Sequence, residues 1–173
     1  MLLDKFRFCP CCGSKDFRVN DERSKRCDAC GFTYYINASG SYVAFIVNDH
    51  DELLVLRRRL EPAKGTLDLP GGFADPGETA EQGVRREVME ETGLEVTDAQ
   101  YLFSIPNRYE YSGMIIPTLD LFFRCEVADD TIVTAKDDAD AAYWIPLSEV
   151  RPEEIGLTSI REGLRRFLEA RHH

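Results

Sequence analysis

The order of apolar and polar positions along the chain predicts a small mixed domain. SYVAFIV at residues 41–47 and ELLVLRRRL at residues 52–60 are β-rich runs separated by the turn-type cluster NDHD. This arrangement predicts a β-hairpin. TLDLP at residues 66–70 predicts a further short strand that ends at Pro70.

The second half of the chain predicts two helices and three more strands. Residues 79–92 predict a helix that stops at Gly93, a residue suited to the position after a helix. Strands are predicted at residues 95–105, 117–127 and 141–145. A second helix is predicted at residues 157–170, where Ser159 and Glu162 could form a capping box. The order β-β-β-α-β-β-β-α indicates a mixed sheet covered by helices.

Composition and charge narrow the class of protein. The 173 residues suffice for one ordinary domain plus a small appendage. A hydrophobic fraction of 43% and a charged fraction of 30% are typical of a soluble globular protein. No apolar run approaches the ~20 residues needed to span a bilayer, and the first residues do not resemble a secretion signal. We therefore expect a cytoplasmic protein without a membrane partner.

The net charge is −10, with 31 acidic and 21 basic residues. This balance argues against binding to a nucleic-acid backbone, which requires lysine and arginine. It leaves small phosphorylated substrates open, because divalent cations can reverse the local sign of the charge.

Five of the six cysteines lie in the first 30 residues, in a segment too polar to build a core of its own. CPCCG and CDACG are two C-x-x-C-G knuckles separated by fourteen residues. Two facing knuckles supply the four thiolates that structural Zn²⁺ prefers, here Cys9, Cys12, Cys27 and Cys30. Disulfides are the alternative, but the sequence shows no secretory signal. Cys11 is interpreted as a bystander and Cys125 as a core residue.

These features predict a zinc ribbon over residues 1–36 and a second domain over residues 37–173. A ribbon of this kind can contact RNA, and its basic residues keep that alternative open. Interleaved acidic residues weaken it, and a structural role is favoured.

The stretch PGGFADPGETAEQGVRREVMEETGL at residues 70–94 carries the candidate chemistry. Glu87, Glu90 and Glu91 occupy positions i, i+3 and i+4 of the predicted helix, so their carboxylates share one face and repel each other. Carboxylates on a rigid helix suit Mg²⁺ or Mn²⁺, and the Gly71 carbonyl can add a ligand. Arg86 lies one position before Glu87 and is therefore out of phase with the three glutamates on the helix.

Arg86 is within reach of Glu90, or of Glu78 at the turn, and is better placed to brace the loop than to catalyse. The alternative is a solvated helix face, which most charge runs are. A solvent-exposed helix face would not require particular residues at fixed distances before the helix, and here those residues are Gly71, Gly72, Gly77 and Glu78.

From Gly72 to Leu94 the sequence matches every fixed position of the Nudix box and resembles the Nudix hydrolases. The resemblance implies an α+β fold, a Nudix α/β/α sandwich with a mixed central sheet. It also implies hydrolysis of a nucleoside diphosphate linked to another moiety, with metal ions that bridge the diphosphate and activate a water. Glu87 or Glu91 would be the base, and the sequence leaves that choice open.

The chain is similar to the NADH pyrophosphatases, Nudix enzymes with a Cys₄ ribbon before the catalytic domain. Phe73 belongs to the matching run, and the resemblance implies a further metal ligand at Asp138, with Asp137 or Asp140 as alternatives. These enzymes show Ser-Gln-Pro-Trp where this chain has Ser-Ile-Pro-Asn, ending at Asn107. NADH specificity is therefore in doubt, while the core chemistry is not.

Candidate substrates are NADH or NAD⁺, ADP-ribose, FAD and nucleotide sugars. Candidate substrate contacts are Arg58, Arg59, Phe73, Asn107 and Tyr109. Two other hypotheses remain: a silent Nudix module that binds without turnover, and an RNA-directed protein that decaps or binds RNA. The intact set of glutamates favours turnover. The sequence gives no oligomeric state, although homodimers are common among such enzymes.

Overall fold

The structure is a computed structural model that describes residues 2–131, 133–135 and 139–171. It divides the chain into two compact units. The first comprises Met1–Ala38 and Arg108–Pro117, and the second comprises Ser39–Asn107 and Thr118–His173. Within the described ranges, no helix has the length and apolar character required to cross a bilayer.

The cysteine-rich part of the first unit is a three-stranded antiparallel sheet. Strand β1 spans Phe17–Asp21, β2 spans Ser24–Cys27 and β3 spans Thr33–Tyr35, in the order β1-β2-β3. A single 3₁₀ turn at Leu2–Lys5 precedes them. Their shared core is small, because it consists of Cys9, Phe17 and Cys27 with Phe6 and Tyr34 packed against it.

The second unit contains the predicted order of strands and helices. Its elements are β4 Ser39–Ile46, β5 Glu52–Arg58, β6 Leu67–Asp68, α1 Ala80–Thr92, β7 Val96–Tyr111, β8 Met114–Val127, β9 Ala139–Pro146 and α2 Thr158–Arg171, with a 3₁₀ turn at Pro152–Glu154 before α2. Two sheets form, in the orders β4-β8-β7 and β6-β5-β9. Strand β4 pairs with β8 in parallel, whereas β5 pairs with β6 and β9 antiparallel. The predicted mixed α+β architecture is confirmed.

Strand β4 is buried on both faces, and its alternate side chains belong to two separate cores. Val43 and Phe45 pack in a cluster with residues of α2, including Leu164. Tyr42 and Ala44 pack in a second cluster that contains Val84 and other residues of α1. Because strand side chains alternate in direction, the two helices cover opposite faces of the strands. This is the arrangement of an α/β/α sandwich.

The predicted hairpin between residues 41–47 and 52–60 is wrong. Strands β4 and β5 lie in different sheets, and their ends are joined by an isolated bridge between Val47 and Leu53 and by a hydrogen bond from the Asn48 amide to the Glu52 carbonyl. Both strands contain a continuous apolar and buried run, YVAFI in β4 and LLVL in β5, rather than an alternating one, as is typical of central strands covered on both sides. Such strands find partners far along the chain instead of across the nearest turn.

The predicted capping box at Ser159 and Glu162 is also wrong. Helix α2 begins at Thr158, so Ser159 lies inside it, and its hydroxyl donates a hydrogen bond to the Asp120 carboxylate. The predicted strands at 95–105 and 117–127 exist but are longer. As β7 and β8 they run on to a two-residue turn at Ser112 and Gly113.

Candidate active site

The N-terminus of α1 is fixed by local hydrogen bonds. Thr79 is the N-cap, and its hydroxyl accepts a hydrogen bond from the Gln82 amide, while the Gln82 side chain accepts one from the Thr79 amide at 2.8 Å. This reciprocal capping box satisfies two amide groups that a helix otherwise leaves unpaired. The helix ends at Gly93, whose φ of 74° favours glycine, as predicted. The helix that carries the glutamates therefore has both of its ends capped.

The turn at residues 70–72 is held against β4 by backbone hydrogen bonds. The Tyr42 amide donates to the Gly72 carbonyl and the Ala44 amide donates to the Pro70 carbonyl, each at 2.8 Å. A Cβ at Gly71 would lie 2.0 Å from the Tyr42 carbonyl oxygen, and one at Gly72 would lie 2.5 Å from the Glu87 carboxylate. Gly71 therefore requires glycine, because the backbone of β4 fills the space of a side chain, whereas a side chain at Gly72 would displace the Glu87 carboxylate.

Arg86 gathers three carboxylates of the site around one guanidinium. It donates to both Glu78 oxygens at 3.0 and 2.9 Å, to Glu87 at 2.8 Å and to Glu90 at 3.1 Å. It also donates to the Phe73 carbonyl at 3.1 Å. The expected reach of Arg86 to Glu78 and Glu90 is present. These bonds from Arg86 and one from the Asp75 amide lower the pKa of Glu78, so it is a carboxylate at neutral pH.

Glu87 and Glu91 occupy different environments. The Glu87 side chain is only 13% exposed, and its burial raises its pKa although Arg86 acts in the opposite direction. Glu91 is buried, and its Oε2 accepts a hydrogen bond from the Gly71 amide at 2.9 Å. The structure thus places Glu87 and Glu90 beside Arg86 and turns Glu91 toward the glycine turn. A desolvated carboxylate beside other carboxylates is stabilised by a hard cation, so the donor set fits Mg²⁺ or Mn²⁺.

The remaining predicted residues are placed differently. Arg58 forms a buried ion pair with Asp68, which makes it a structural residue, whereas Arg59 is exposed. Phe73 is 41% exposed and Asn107 is half-buried. Tyr109 is half-buried and belongs to the first unit, in the hairpin of β7 and β8. The proposed ligand Asp138 lies outside the described residues.

Two groups of the second unit that sequence reasoning missed are Tyr42 and Asp120. The Tyr42 ring and the Glu78 carboxylate meet over Gly83, because a Cβ there would lie 2.0 Å from the ring and 2.7 Å from a Glu78 oxygen. The buried Asp120 carboxylate accepts from Ser41 at 2.5 Å, from Thr118 at 2.7 Å and from Ser159. Tyr42 lies within an apolar run, so no local pattern marks it. A charged residue in the apolar strand run LDLFF is the signal that could have drawn attention to Asp120.

In the first unit, the four predicted zinc ligands meet. Among the residues that the structure describes, Cys9, Cys12, Cys27 and Cys30 are the one group of three or more metal-type ligands whose atoms all lie within 4.8 Å. All six cysteines are free thiols, and Cys11 is exposed and outside this group. Although burial opposes it, the Cys12 and Cys11 amides lower the pKa of Cys9 to about 7. A thiol that readily loses its proton near neutral pH, surrounded by three others, fits a thiophilic divalent cation such as Zn²⁺.

Comparisons with known proteins agree with this geometry. A family model described as the NUDIX domain matches residues 39–169. The chain is 30% identical over 96% of its length to the NAD-capped RNA hydrolase NudC of Stutzerimonas stutzeri, and 32% identical over 90% of its length to that of Pseudomonas entomophila. It covers 55% and 53% of these two proteins, so the chain spans about half the length of the curated relatives it matches.

A solved structure with the same fold is the NUDIX hydrolase from Nitrosomonas europaea. The TM-score is 0.76, the sequence identity is 23%, and the alignment covers 97% of this chain and 93% of that one. At this identity the likeness supports the fold of the chain.

Proposed function

The chain belongs to the Nudix family, and from that premise we propose that it is a pyrophosphohydrolase that depends on a divalent metal. The reaction is hydrolysis of the diphosphate linkage in a nucleoside diphosphate joined to another moiety. The observation that carries the proposal is the buried Glu87 carboxylate, packed on Gly72 and clamped by Arg86. A helix face that served only solubility would leave this carboxylate in water.

The residues divide into holding and bracing roles. Glu87, Glu90, Glu91 and the Gly71 carbonyl would hold Mg²⁺ or Mn²⁺, which when bound neutralises the diphosphate and makes its phosphorus a better electrophile. Glu87 or Glu91 would accept the proton of the attacking water as the P–O bond of the anhydride breaks. Arg86 and Glu78 brace the turn, because Arg86 spans the Phe73 carbonyl and two of the three glutamates of the helix.

The substrate class has two candidates. The first is a small dinucleotide or nucleotide conjugate, such as NADH, NAD⁺, ADP-ribose, FAD or a nucleotide sugar. The second is RNA that carries a dinucleotide cap, and it is favoured by the activity that the names of the NudC relatives describe. Both contain the same diphosphate linkage, so the proposed residues serve either substrate.

The zinc ribbon is proposed as a structural domain over residues 1–36, with the Nudix domain over residues 37–173. A cytoplasmic location stays a prediction, and the oligomeric state stays open as the sequence left it.

The first prediction concerns turnover. Purified protein with Mg²⁺ or Mn²⁺ should release AMP or NMN from at least one of the small substrates, or release NMN from NAD-capped RNA. Glu91→Gln should lower kcat by roughly 10²–10⁴-fold, the range associated with a removed acid–base or ligand group. Chromatography of the products at saturating substrate measures this loss.

The matched control is Glu95→Gln, which changes an acidic residue just beyond the end of the same helix. It should keep kcat within about twofold, since surface substitutions away from a site have small effects. Activity that survives Glu91→Gln, or that persists in EDTA, would contradict the proposal. Binding of these nucleotides without turnover would instead identify a silent module.

A further inference from the structure

One face of the three-stranded sheet in the first unit carries two arginines side by side. Arg18 of β1 lies opposite Arg26 of β2 in the register of the sheet, and Arg26 lies opposite Thr33 of β3. Directly opposite side chains of antiparallel strands have Cβ atoms about 5 Å apart, and like charges at such positions are destabilising. An anion bound between the two arginines would remove this repulsion. We call this surface the outer face and define it by Arg18, Arg26, Thr33 and Tyr35.

Both arginines of the outer face are accessible. The Arg18 side chain is 75% exposed, and its ion pair with Asp28 at 2.8 Å is exposed as well. Exposed pairs contribute little to stability, so a phosphate can take the place of Asp28. Arg26 is exposed, and its guanidinium forms no ion pair with any residue that the structure describes. The opposite face of the sheet packs Phe17 and Cys27 into the small core.

An exposed aromatic ring lies beside the two arginines. Tyr35 follows Thr33 by two positions on β3, so its side chain points to the same face as those of Thr33 and Arg26. It is 54% exposed and diagonal to Arg26, a spacing that aromatic and long side chains can bridge. A second exposed cation and ring lie just before β1, where the Lys15 Nζ is 5.9 Å from the centroid of the Phe8 ring.

Cations beside exposed rings are typical of surfaces that bind single-stranded nucleic acid. The cations contact phosphates, and a ring stacks on a base that is not already stacked inside a duplex. An acidic peptide would also meet the arginines, but it offers no planar base for the ring. The eight basic residues of the first unit outnumber its six acidic ones, so the charge of this unit does not repel a polyanion.

We propose that the outer face binds single-stranded RNA, with phosphates on Arg18 and Arg26 and a base stacked on Tyr35. The choice of RNA rests on the proposed function, in which capped RNA is the second candidate substrate. The competing explanation is that these side chains are ordinary solvated surface and that the ribbon is a structural domain only. The two explanations differ in what loss of the ring, or of the two local charges, does to RNA binding.

The test measures binding of the full chain to a fluorescein-labelled single-stranded RNA of about 12 nucleotides by fluorescence anisotropy. The RNA has a 5′-hydroxyl end and no cap, and no metal is added, so binding requires no turnover. The variants are Tyr35→Ala, Tyr35→Phe and the pair Arg18→Gln with Arg26→Gln. The zinc content of each variant is measured in parallel.

Two matched controls change the second unit in the same way. Tyr101→Ala removes a tyrosine that is 50% exposed on β7. Arg165→Gln combined with Arg166→Gln removes two charges from exposed positions of α2, so the net charge of the chain changes as it does in the ribbon variant. Both controls should bind RNA within about twofold of the wild type, since surface substitutions away from a site have small effects.

Tyr35→Ala should weaken RNA binding roughly 5- to 100-fold, the range associated with one base stacked on a ring, whereas Tyr35→Phe keeps the ring and should bind within about twofold. The arginine pair variant should lower the slope of log Kd against log salt by about 1.4, since each phosphate contact of a single strand contributes about 0.7. Zinc content should stay unchanged, because the three side chains are exposed. A duplex of the same RNA should bind at least about tenfold more weakly, because its bases are already stacked.

No RNA binding by the wild type, or equal binding by the wild type and the ribbon variants, would overturn the inference. Competition by poly-glutamate as effective as that by unlabelled RNA would overturn it too, because the face would then bind any polyanion. If a ribbon variant loses zinc, photo-cross-linking of the wild type to RNA that contains 4-thiouridine decides the question. Cross-links within residues 17–35 support the inference, and cross-links confined to the second unit overturn it.

Binding and hydrolysis can fail separately in these experiments. If the chain hydrolyses no diphosphate substrate but binds RNA through the outer face, the proposed function fails and this inference stands. If the chain hydrolyses NAD⁺ while the ribbon variants bind RNA as the wild type does, the proposed function stands and this inference fails.

Discussion

At the scale of single residues, the site combines burial with charge at Glu87. Its carboxylate is desolvated against Gly72, and Arg86 compensates part of that cost. The sequence predicted that Arg86 reaches Glu90 or Glu78, because residues 86 and 90 are one turn apart on the helix and Glu78 follows from the fixed spacing. The bond from Arg86 to Glu87 was not predicted, because adjacent positions on a helix do not face each other. It did not predict the bond between Glu91 and the Gly71 amide, because that contact depends on where the turn meets the helix.

A buried thiol gives a prediction about pH. Burial raises the pKa of Cys125 to about 12, far above the value of an exposed thiol. Cys125 should therefore react with iodoacetamide at pH 9 at least about 100-fold more slowly than exposed Cys11 in the folded protein. Peptide mass spectrometry after timed alkylation measures both rates, and unfolding in guanidinium should remove the difference.

The sign of the linked stability effect follows from the same shift. The folded state holds the Cys125 proton more tightly than the unfolded chain does, so this contribution to stability is complete below about pH 9. It is lost as the pH rises toward 12, and Cys125→Ala should show a flatter fall in unfolding free energy over that interval. Fast alkylation of Cys125 in the folded protein would contradict this account.

At the scale of elements, the sequence identified strands better than it identified their partners. The apolar run of β4 marked a strand, but its partner β8 begins almost 70 residues later, with Tyr42 opposite Leu121. The polar network around Asp120 was hidden for the same reason. Ser41, Thr118 and Ser159 come from β4, β8 and α2, so no local spacing relates them.

This network gives a prediction about stability. Asp120→Ala leaves two buried hydroxyl groups and one half-buried one without their common acceptor and should lower the unfolding free energy by about 2–4 kcal/mol. Ser159→Ala removes one donor only and should cost about 1 kcal/mol. Urea denaturation monitored by circular dichroism measures both values. If the two substitutions lower the unfolding free energy by the same amount, Asp120 does not join β4, β8 and α2.

At the scale of the whole molecule, the charge is unevenly shared. The first unit contains eight basic and six acidic residues, a net charge of +2, so the second unit, with 13 basic and 25 acidic residues, carries −12. Negative charge therefore disfavours nucleic-acid contact at the unit with the candidate active site. The cysteine-rich unit carries no such negative charge.

The two units should also differ in their dependence on metal. The core of the ribbon has few apolar residues besides the cysteines themselves, whereas the second unit has two apolar clusters of its own. Removal of about one zinc per chain by a strong chelator should abolish protection from hydrogen exchange in residues 2–38. Segments of β4, β5 and α2 should keep their protection, as followed by mass spectrometry.

Cys27→Ser should reproduce the effect of the chelator, and Cys11→Ser is the matched control that should leave zinc content unchanged. Loss of protection throughout both units, or in neither, would contradict this division of stability.

Strand β4 has one more consequence. Its odd-numbered side chains support one helix and its even-numbered ones the other, so inserting or deleting a single residue would exchange the two sets. Tyr42 would then leave Glu78, and phenylalanines would face a helix shaped for alanine and tyrosine. The length of this strand is therefore constrained both by the placement of Tyr42 beside Glu78 and by the packing of the two cores. A shift by one residue would disrupt both.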